Sequence, residues 1–167
     1  STGRRILMKQ ILIGILMLAI MAQTMIMSNM IHPLSKEEAQ VEGLRVSVVR
    51  AGLPNPGEKI LLAVILASKQ TGVPPHSIIS LMYSESAFNV RAISTKGYKG
   101  LMQIPYPIYE ENQNTLIGTN ILVEKLRIVN GDYRKAYIIY KGWAVNHPEG
   151  NRQAEKVLAL TAKLREA

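Results

Sequence analysis

The sequence predicts an all-α protein, from its low aromatic content and from the lack of strand-like alternation, and its composition also excludes several kinds of site. Aromatic residues make up only 5% of the 167 residues, so the core must be built mainly from Leu, Ile, Val, Met and Ala, which favours helix-on-helix packing. No stretch alternates apolar and polar residues convincingly with the period of two that is typical of a half-buried strand. The chain has no cysteine, which excludes a disulfide framework, a thiolate nucleophile and a cysteine zinc site.

Residues 1–33 combine a basic stretch with a long apolar one. The positive charges of the basic stretch are Arg4, Arg5 and Lys9. They precede a run without charged residues from Ile11 to Met27, and a helix over residues 11–31 would measure roughly 31 Å, close to the hydrocarbon thickness of a bilayer. We interpret this segment as a retained membrane anchor or a cleaved signal segment. A buried core helix is the third alternative.

Residues 34–167 are predicted to form one domain of six helices joined by short breaks. Each predicted start carries a capping residue or a proline; the starts lie near Ser35, Asn55-Pro56, Pro74-Pro75, Asn114, Asp132 and Pro148. The run ILLAVILASKQ at residues 60–70 is apolar on nearly all sides, so this helix should be central. Residues 87–100 lose helical periodicity and are expected to form a structured loop.

Glu85 continues the apolar face of the third predicted helix. Ile78, Leu81 and Met82 occupy positions i, i+3 and i+4, and Glu85 follows at i+7, so its carboxyl should lie on the buried side. Residues 59–109 contain no other Asp or Glu. Burial without a neighbouring anion disfavours the charged form of a carboxyl, which suits a general acid that works near neutral pH.

The spacing alone leaves a second interpretation of Glu85 open. A glutamate at a helix end can simply bond nearby backbone amides or a cation such as Arg91. Additional motifs are therefore needed before Glu85 can be assigned a catalytic role.

A set of residues that includes Glu85 resembles the catalytic domain of the soluble lytic transglycosylase (SLT) family. The resembling positions are Glu85-Ser86-Ala87-Phe88, Ser94, Gly97, Gly100-Leu101-Met102-Gln103-Ile104-Pro105, Asn114, Gly118 and Tyr140. Because residue types recur at set offsets, a chance match is far rarer than for one short motif. The resemblance covers residues 56–145 and implies a lysozyme-like fold of the goose type for residues 34–167.

The resemblance implies cleavage of the β-1,4 bond between N-acetylmuramic acid and N-acetylglucosamine in peptidoglycan, which opens the cell wall locally. In this family the 6-hydroxyl of the muramyl sugar attacks its own anomeric carbon and leaves a 1,6-anhydro end. Glu85 would be the single catalytic acid and base. Ser94 and Gln103 would hold polar groups of the glycan. Met102 would line the groove, and Tyr140 would form a hydrogen bond near the acid. No cofactor or metal is implied.

Two departures from the family pattern concern the far wall of the groove. Lys141 stands directly after Tyr140, where the family usually has Asn. Residues 106–109 differ from the residues that usually follow the motif ending at Pro105. These changes bear on the number of sugar subsites and on the preferred glycan length more than on the reaction.

Two other functions stay open at this point. A lysozyme-like hydrolase would use a second carboxylate, for which Glu110, Glu111 and Asp132 are the candidates. A peptidoglycan-binding scaffold component of an envelope machine or phage particle would have a weak or dead site.

The expected partners are peptidoglycan glycan strands and, through residues 11–31, a membrane. We expect residues 34–167 on the periplasmic or cell-envelope side, anchored or exported, in an envelope-spanning secretion or pilus complex; a virion is the alternative. The net charge of +8 suits an anionic cell wall or lipid surface. Lys and Arg form no stripe and are not interleaved with aromatic residues, so nucleic acid is not an expected partner.

Overall fold

The computed structural model describes residues 13–21, Gln23 and residues 34–167. The chain divides into two units, Ser1–Ser35 and Lys36–Ala167. In the first unit, residues 13–21 are helical and their side chains are exposed. The other residues of the predicted membrane segment at 11–31 lie outside the described ones, apart from Gln23. Within the part of the chain that the structure describes, no helix has the length and hydropathy needed to cross a bilayer.

The second unit is built from six helices. In chain order they are α1 (Lys36–Arg50), α2 (Glu58–Thr71), α3 (Pro75–Ser86), α4 (Glu111–Ile128), α5 (Tyr133–Tyr140) and α6 (Pro148–Glu166). Residues 34–167 contain no β-strand. Two isolated antiparallel bridges join Lys99 to Ile93 and to Ile104 in the loop between α3 and α4. The predicted all-α fold class is therefore confirmed for this part of the chain.

Two central helices, α2 and α3, supply much of the core. α2 buries residues on most of its faces, as its apolar run predicts. α3 buries six consecutive residues from Ser77 to Met82. α2 packs against α1, α3 and α4, while α6 packs against α1, α3 and α5. Because α3 and α5 both pack on α6, the end of α3 that carries Glu85 is brought near the end of α5.

Four predicted helix starts are confirmed. α1 begins at Lys36, directly after Ser35, while α3 begins at Pro75 and α6 at Pro148. At the start of α5, the Asp132 carboxylate accepts a hydrogen bond from the backbone N–H of Lys135 at 3.1 Å, as expected of an N-cap. α2 begins at Glu58, slightly later than its capping signal predicts.

The predicted start of α4 at Asn114 is wrong. α4 begins at Glu111, and the side chain of Glu110 is its N-cap, accepting hydrogen bonds from the N–H groups of Asn112 and Gln113 at 3.2 and 2.7 Å. Asn is a preferred N-cap residue, but a carboxylate satisfies the same N–H groups and also interacts favourably with the positive end of the helix dipole. Asn114 lies inside α4 and is fully buried.

Candidate active site

Glu85 lies in the last turn of α3, just before two residues with left-handed backbone conformation. The two residues after the helix, Ala87 and Phe88, both have positive φ angles, 50° and 66°, which non-glycine residues rarely adopt. The Ala87 N–H closes the helix by donating to the Tyr83 carbonyl at 2.8 Å. The Phe88 ring packs on the Tyr83 ring with centroids 5.2 Å apart. Glu85 lies less than one turn before Ala87 and Phe88 and lines a cleft.

The cleft has a volume of about 210 Å³ and is formed by the ends of α3 and α5 and by the loop between α3 and α4. Its lining residues are Glu85, Ser94, Thr95, Lys96, Tyr98, Gln103, Tyr140, Lys141 and Gly142. Glu85 is the one carboxylate among them. The structure thus brings together four of the five site residues that the sequence predicts, and the exception is Met102.

The Glu85 carboxylate forms an ion pair with Lys141 in the wall of this cleft. The two atoms, Lys141 Nζ and Glu85 Oε1, are 2.7 Å apart, and the side chains are only 11% and 13% exposed. Glu85 Oε1 is buried and accepts no well-aligned hydrogen bond from the described residues, so the ammonium group is its polar neighbour. Arg91, the cation considered from the sequence, lines a different cavity.

The phenol of Tyr140 is a neutral hydrogen-bond donor beside the cleft. Its hydroxyl donates to the backbone carbonyl of Met102 at 2.8 Å. Burial raises the pKa of Tyr140 well above its usual range, and the negative charge of Glu85 raises it further. Tyr140 therefore keeps its proton and holds the turn that contains Met102.

The side chain of Met102 lies beneath the cleft instead of in its wall. It is fully buried and contacts α4 at Gly118. A Cβ at Gly118 would overlap the Met102 side chain and lie 3.0 Å from the Tyr140 hydroxyl. The resemblance implies that Met102 lines the groove, but its buried side chain packs in the core, and only its backbone is bonded to a cleft residue.

Asn114 fastens the loop between α3 and α4 to α4 itself. Its Oδ1 accepts a hydrogen bond from the N–H of Met102 at 2.8 Å. Its Nδ2 donates to the carbonyls of Lys99 at 3.2 Å and Ile108 at 2.6 Å. Gly100 has a φ of +77°, and a Cβ there would lie 2.8 Å from the Asn114 Cγ. Both the backbone conformation and the available space therefore require glycine at position 100.

Two polar residues of the cleft, Gln103 and Ser94, are held by the loop. The Gln103 Nε2 donates to the carbonyls of Gly100 at 2.8 Å and Ala92 at 3.3 Å, so both amide hydrogens are used within the loop. The Ser94 hydroxyl accepts from the N–H of Tyr98 at 3.0 Å. These bonds place both side chains in the cleft wall, and the Gln103 Oε1 has no bonding partner among the described residues.

Three residues of the cleft wall were not predicted from the sequence, namely Thr95, Lys96 and Tyr98. They belong to the loop at residues 87–100, whose sequence has no periodicity that could show which side chains share a face. Lys141 was identified as a departure from the family pattern, but its contact with Glu85 was not predicted. Its position next to Tyr140 was the available signal.

None of the three other candidate carboxylates lines the cleft. Glu110 and Asp132 cap α4 and α5, and Glu111 lies in the first turn of α4. Hydrogen bonding from the backbone N–H of Lys135 lowers the pKa of Asp132. Within the described residues, no three His, Asp or Glu side chains are grouped as a metal site would require.

Comparison with known proteins agrees with this geometry. A search of curated proteins found no match. The family model described as Transglycosylase SLT domain matches residues 63–158, more than half of the chain, and the match includes every residue that lines the cleft. This domain implies lytic transglycosylase activity on peptidoglycan and action at the cell envelope. The chain therefore belongs to the SLT transglycosylase family.

Proposed function

We propose that the chain cleaves the β-1,4 bond between N-acetylmuramic acid and N-acetylglucosamine in peptidoglycan and leaves 1,6-anhydro ends. The observation that carries this proposal is that Glu85 is the one carboxylate among the residues lining the cleft. Glycosidases that use water generally need a second carboxylate in the site, as nucleophile or as base. A hydroxyl of the substrate itself removes that need.

In the first step Glu85 acts as the general acid. Its proton moves to the glycosidic oxygen while the bond between that oxygen and the muramyl C1 breaks, and the bonding electrons leave with the oxygen. C1 acquires the positive character of an oxocarbenium ion, and Glu85 becomes a carboxylate. Ser94 and the free Oε1 of Gln103 lie in the same cleft, where they can hold polar groups of the glycan.

In the second step Glu85 acts as the general base. The 6-hydroxyl oxygen of the muramyl sugar attacks C1, its proton moves to the Glu85 carboxylate, and the new C1–O6 bond closes the anhydro ring. The acid is thereby regenerated. Because the nucleophile belongs to the sugar that reacts, the attack is intramolecular and has the entropic advantage of a tethered group.

The test is the analysis of products released from purified sacculi. Wild-type protein should release muropeptides that are one water lighter than those with reducing ends. Glu85→Gln should lower the rate by at least about 10²-fold. Glu110→Gln is the matched control: its amide oxygen can still cap α4, and its rate should stay near that of the wild type.

Each alternative function gives a different result in the same experiment. Reducing ends instead of anhydro ends would identify a hydrolase. Loss of activity in Glu110→Gln would then identify Glu110 as the second carboxylate of that hydrolase. Equal release by wild type and Glu85→Gln would refute the catalytic role of Glu85 and favour a peptidoglycan-binding scaffold.

We also propose that residues 11–31 act as a membrane anchor or signal segment that brings residues 34–167 to the envelope side. The charge-free apolar run after a basic stretch supports this. Such a protein would open the wall locally for an envelope-spanning complex or, alternatively, for a virion. N-terminal sequencing of the protein from the membrane and soluble fractions distinguishes a retained anchor from a cleaved signal.

A further inference from the structure

We propose that Lys141 is a positioning residue that stabilises the ionised form of Glu85 and thereby restricts the reaction to a lower pH range than a neutral residue would allow. This inference rests on the proposed function, because it concerns the proton that Glu85 gives to the glycan. The contact behind it joins the end of α5 to the end of α3.

The burial of this pair separates it from the ordinary surface ion pairs of the domain. Glu85 and Lys141 are 13% and 11% exposed. In the Arg134–Glu155 pair, by contrast, the side chains are 47% and 55% exposed, although the nitrogen and oxygen atoms are 2.8 Å apart. Water and salt screen exposed pairs strongly and buried pairs much less. The ammonium of Lys141 therefore acts on Glu85 with a larger effective field.

The other ionisable groups that line the cleft do not offset this field. Tyr140 is neutral because burial and the charge of Glu85 raise its pKa. Tyr98 is a phenol that is 42% exposed, and Lys96 carries the same sign of charge as Lys141 on an exposed side chain. Glu85 thus shares the cleft wall with two cations and no other anion, and Lys141 is the cation in contact with it.

The field has two opposite consequences for the first catalytic step. The first step needs a proton on Glu85, and a neighbouring cation reduces the fraction of molecules that carry it. The same cation stabilises the carboxylate that forms as the proton leaves, so each protonated molecule is a stronger acid. Activity should therefore fall on the alkaline side at a lower pH than it would with a neutral residue at position 141.

The experiment measures the release of anhydro-muropeptides from sacculi between about pH 4 and pH 9. Lys141→Met removes the charge and keeps an unbranched side chain, Lys141→Gln is a second neutral variant, and Lys141→Arg keeps the charge. In the neutral variants the alkaline limb of the pH profile should move to higher pH, because the buried cation beside Glu85 is gone. Their activity relative to wild type should rise with pH, by up to about tenfold per unit. Lys141→Arg should keep the wild-type profile.

A purely structural role of Lys141 predicts a different pH dependence of the variants. If Lys141 only supported the fold, the neutral variants would lose activity by the same factor at every pH, and that result would overturn the proposal. The proposal would also be overturned if the pH profile of Lys141→Arg moved together with those of the neutral variants. An unchanged profile in an active enzyme refutes only the role of Lys141, whereas a wild-type protein without activity at any pH refutes the proposed function.

A second measurement does not depend on turnover. The ¹³C signal of the Glu85 carboxyl can be assigned by its loss in Glu85→Gln and followed with pH in wild type and in Lys141→Met. The transition should occur at higher pH in the variant. Superimposable curves would contradict the proposal whether or not the protein is an active enzyme.

Discussion

Replacing Gly100 by alanine should disrupt the loop that forms one wall of the cleft, and Gly97 offers a matched control. Both glycines have positive φ angles, +77° at Gly100 and +83° at Gly97. They differ in their surroundings. A Cβ at Gly100 would run into the amide of Asn114, with Cγ only 2.8 Å away, whereas a Cβ at Gly97 would meet nothing within 4 Å.

The magnitudes follow from that difference. The left-handed conformation costs an alanine about 1–2 kcal/mol at either position. At Gly100 the buried amide of Asn114 must also move, which disturbs its three hydrogen bonds to the loop backbone. At about 0.5–1.5 kcal/mol for each bond, the total for Gly100→Ala comes to roughly 2.5–6.5 kcal/mol, against about 1–2 kcal/mol for Gly97→Ala.

The assay is urea unfolding followed by far-ultraviolet circular dichroism, which reports the helices directly. Gly100→Ala should lower the free energy of unfolding by about 1.5–4.5 kcal/mol more than Gly97→Ala, and it should also reduce activity because Gln103 belongs to the same turn. Equal losses in the two variants would refute the claim that the packing of Asn114 against Gly100 holds this wall.

Two further predictions concern buried tyrosines. Tyr140→Phe leaves the buried Met102 carbonyl without its donor and should destabilise the protein by about 1–3 kcal/mol, while the exposed Tyr98→Phe should have little effect; similar urea midpoints for both variants would contradict this. Burial raises the pKa of Tyr137 to about 12, so between about pH 10 and 12 the unfolded chain loses a proton that the folded chain keeps, and the free energy of unfolding should fall by about 2–3 kcal/mol through this group. Urea titrations over that interval should show a shallower decline in Tyr137→Phe, and an equally steep one would disprove the assignment.

The elements that sequence reasoning located correctly are those with strong local signals. The apolar run of α2, the proline starts of α3 and α6 and the Asp132 cap act within one or two helical turns. A helix that is apolar on most sides has to be buried whatever surrounds it. These features need no knowledge of distant residues.

The errors have a common physical cause. Asn114 has the residue type of an N-cap, but its amide bonds the backbone at residues 99, 102 and 108. Met102 belongs to a motif associated with the groove, but the glycine at position 118 makes room for its side chain in the core. In both cases a neighbour from another element decided which way the side chain points.

The amino-acid sequence by itself determined that this chain is helical, where most helices begin, and that Glu85 lies on the inner side of α3. Periodicity and capping act over a few residues, so they can be read in one dimension. The tertiary structure alone decided that Lys141 is the partner of Glu85, that the Met102 side chain is buried, and which loop residues line the cleft. Those outcomes depend on how burial of the apolar faces of α3, α5 and α6 brings distant residues together.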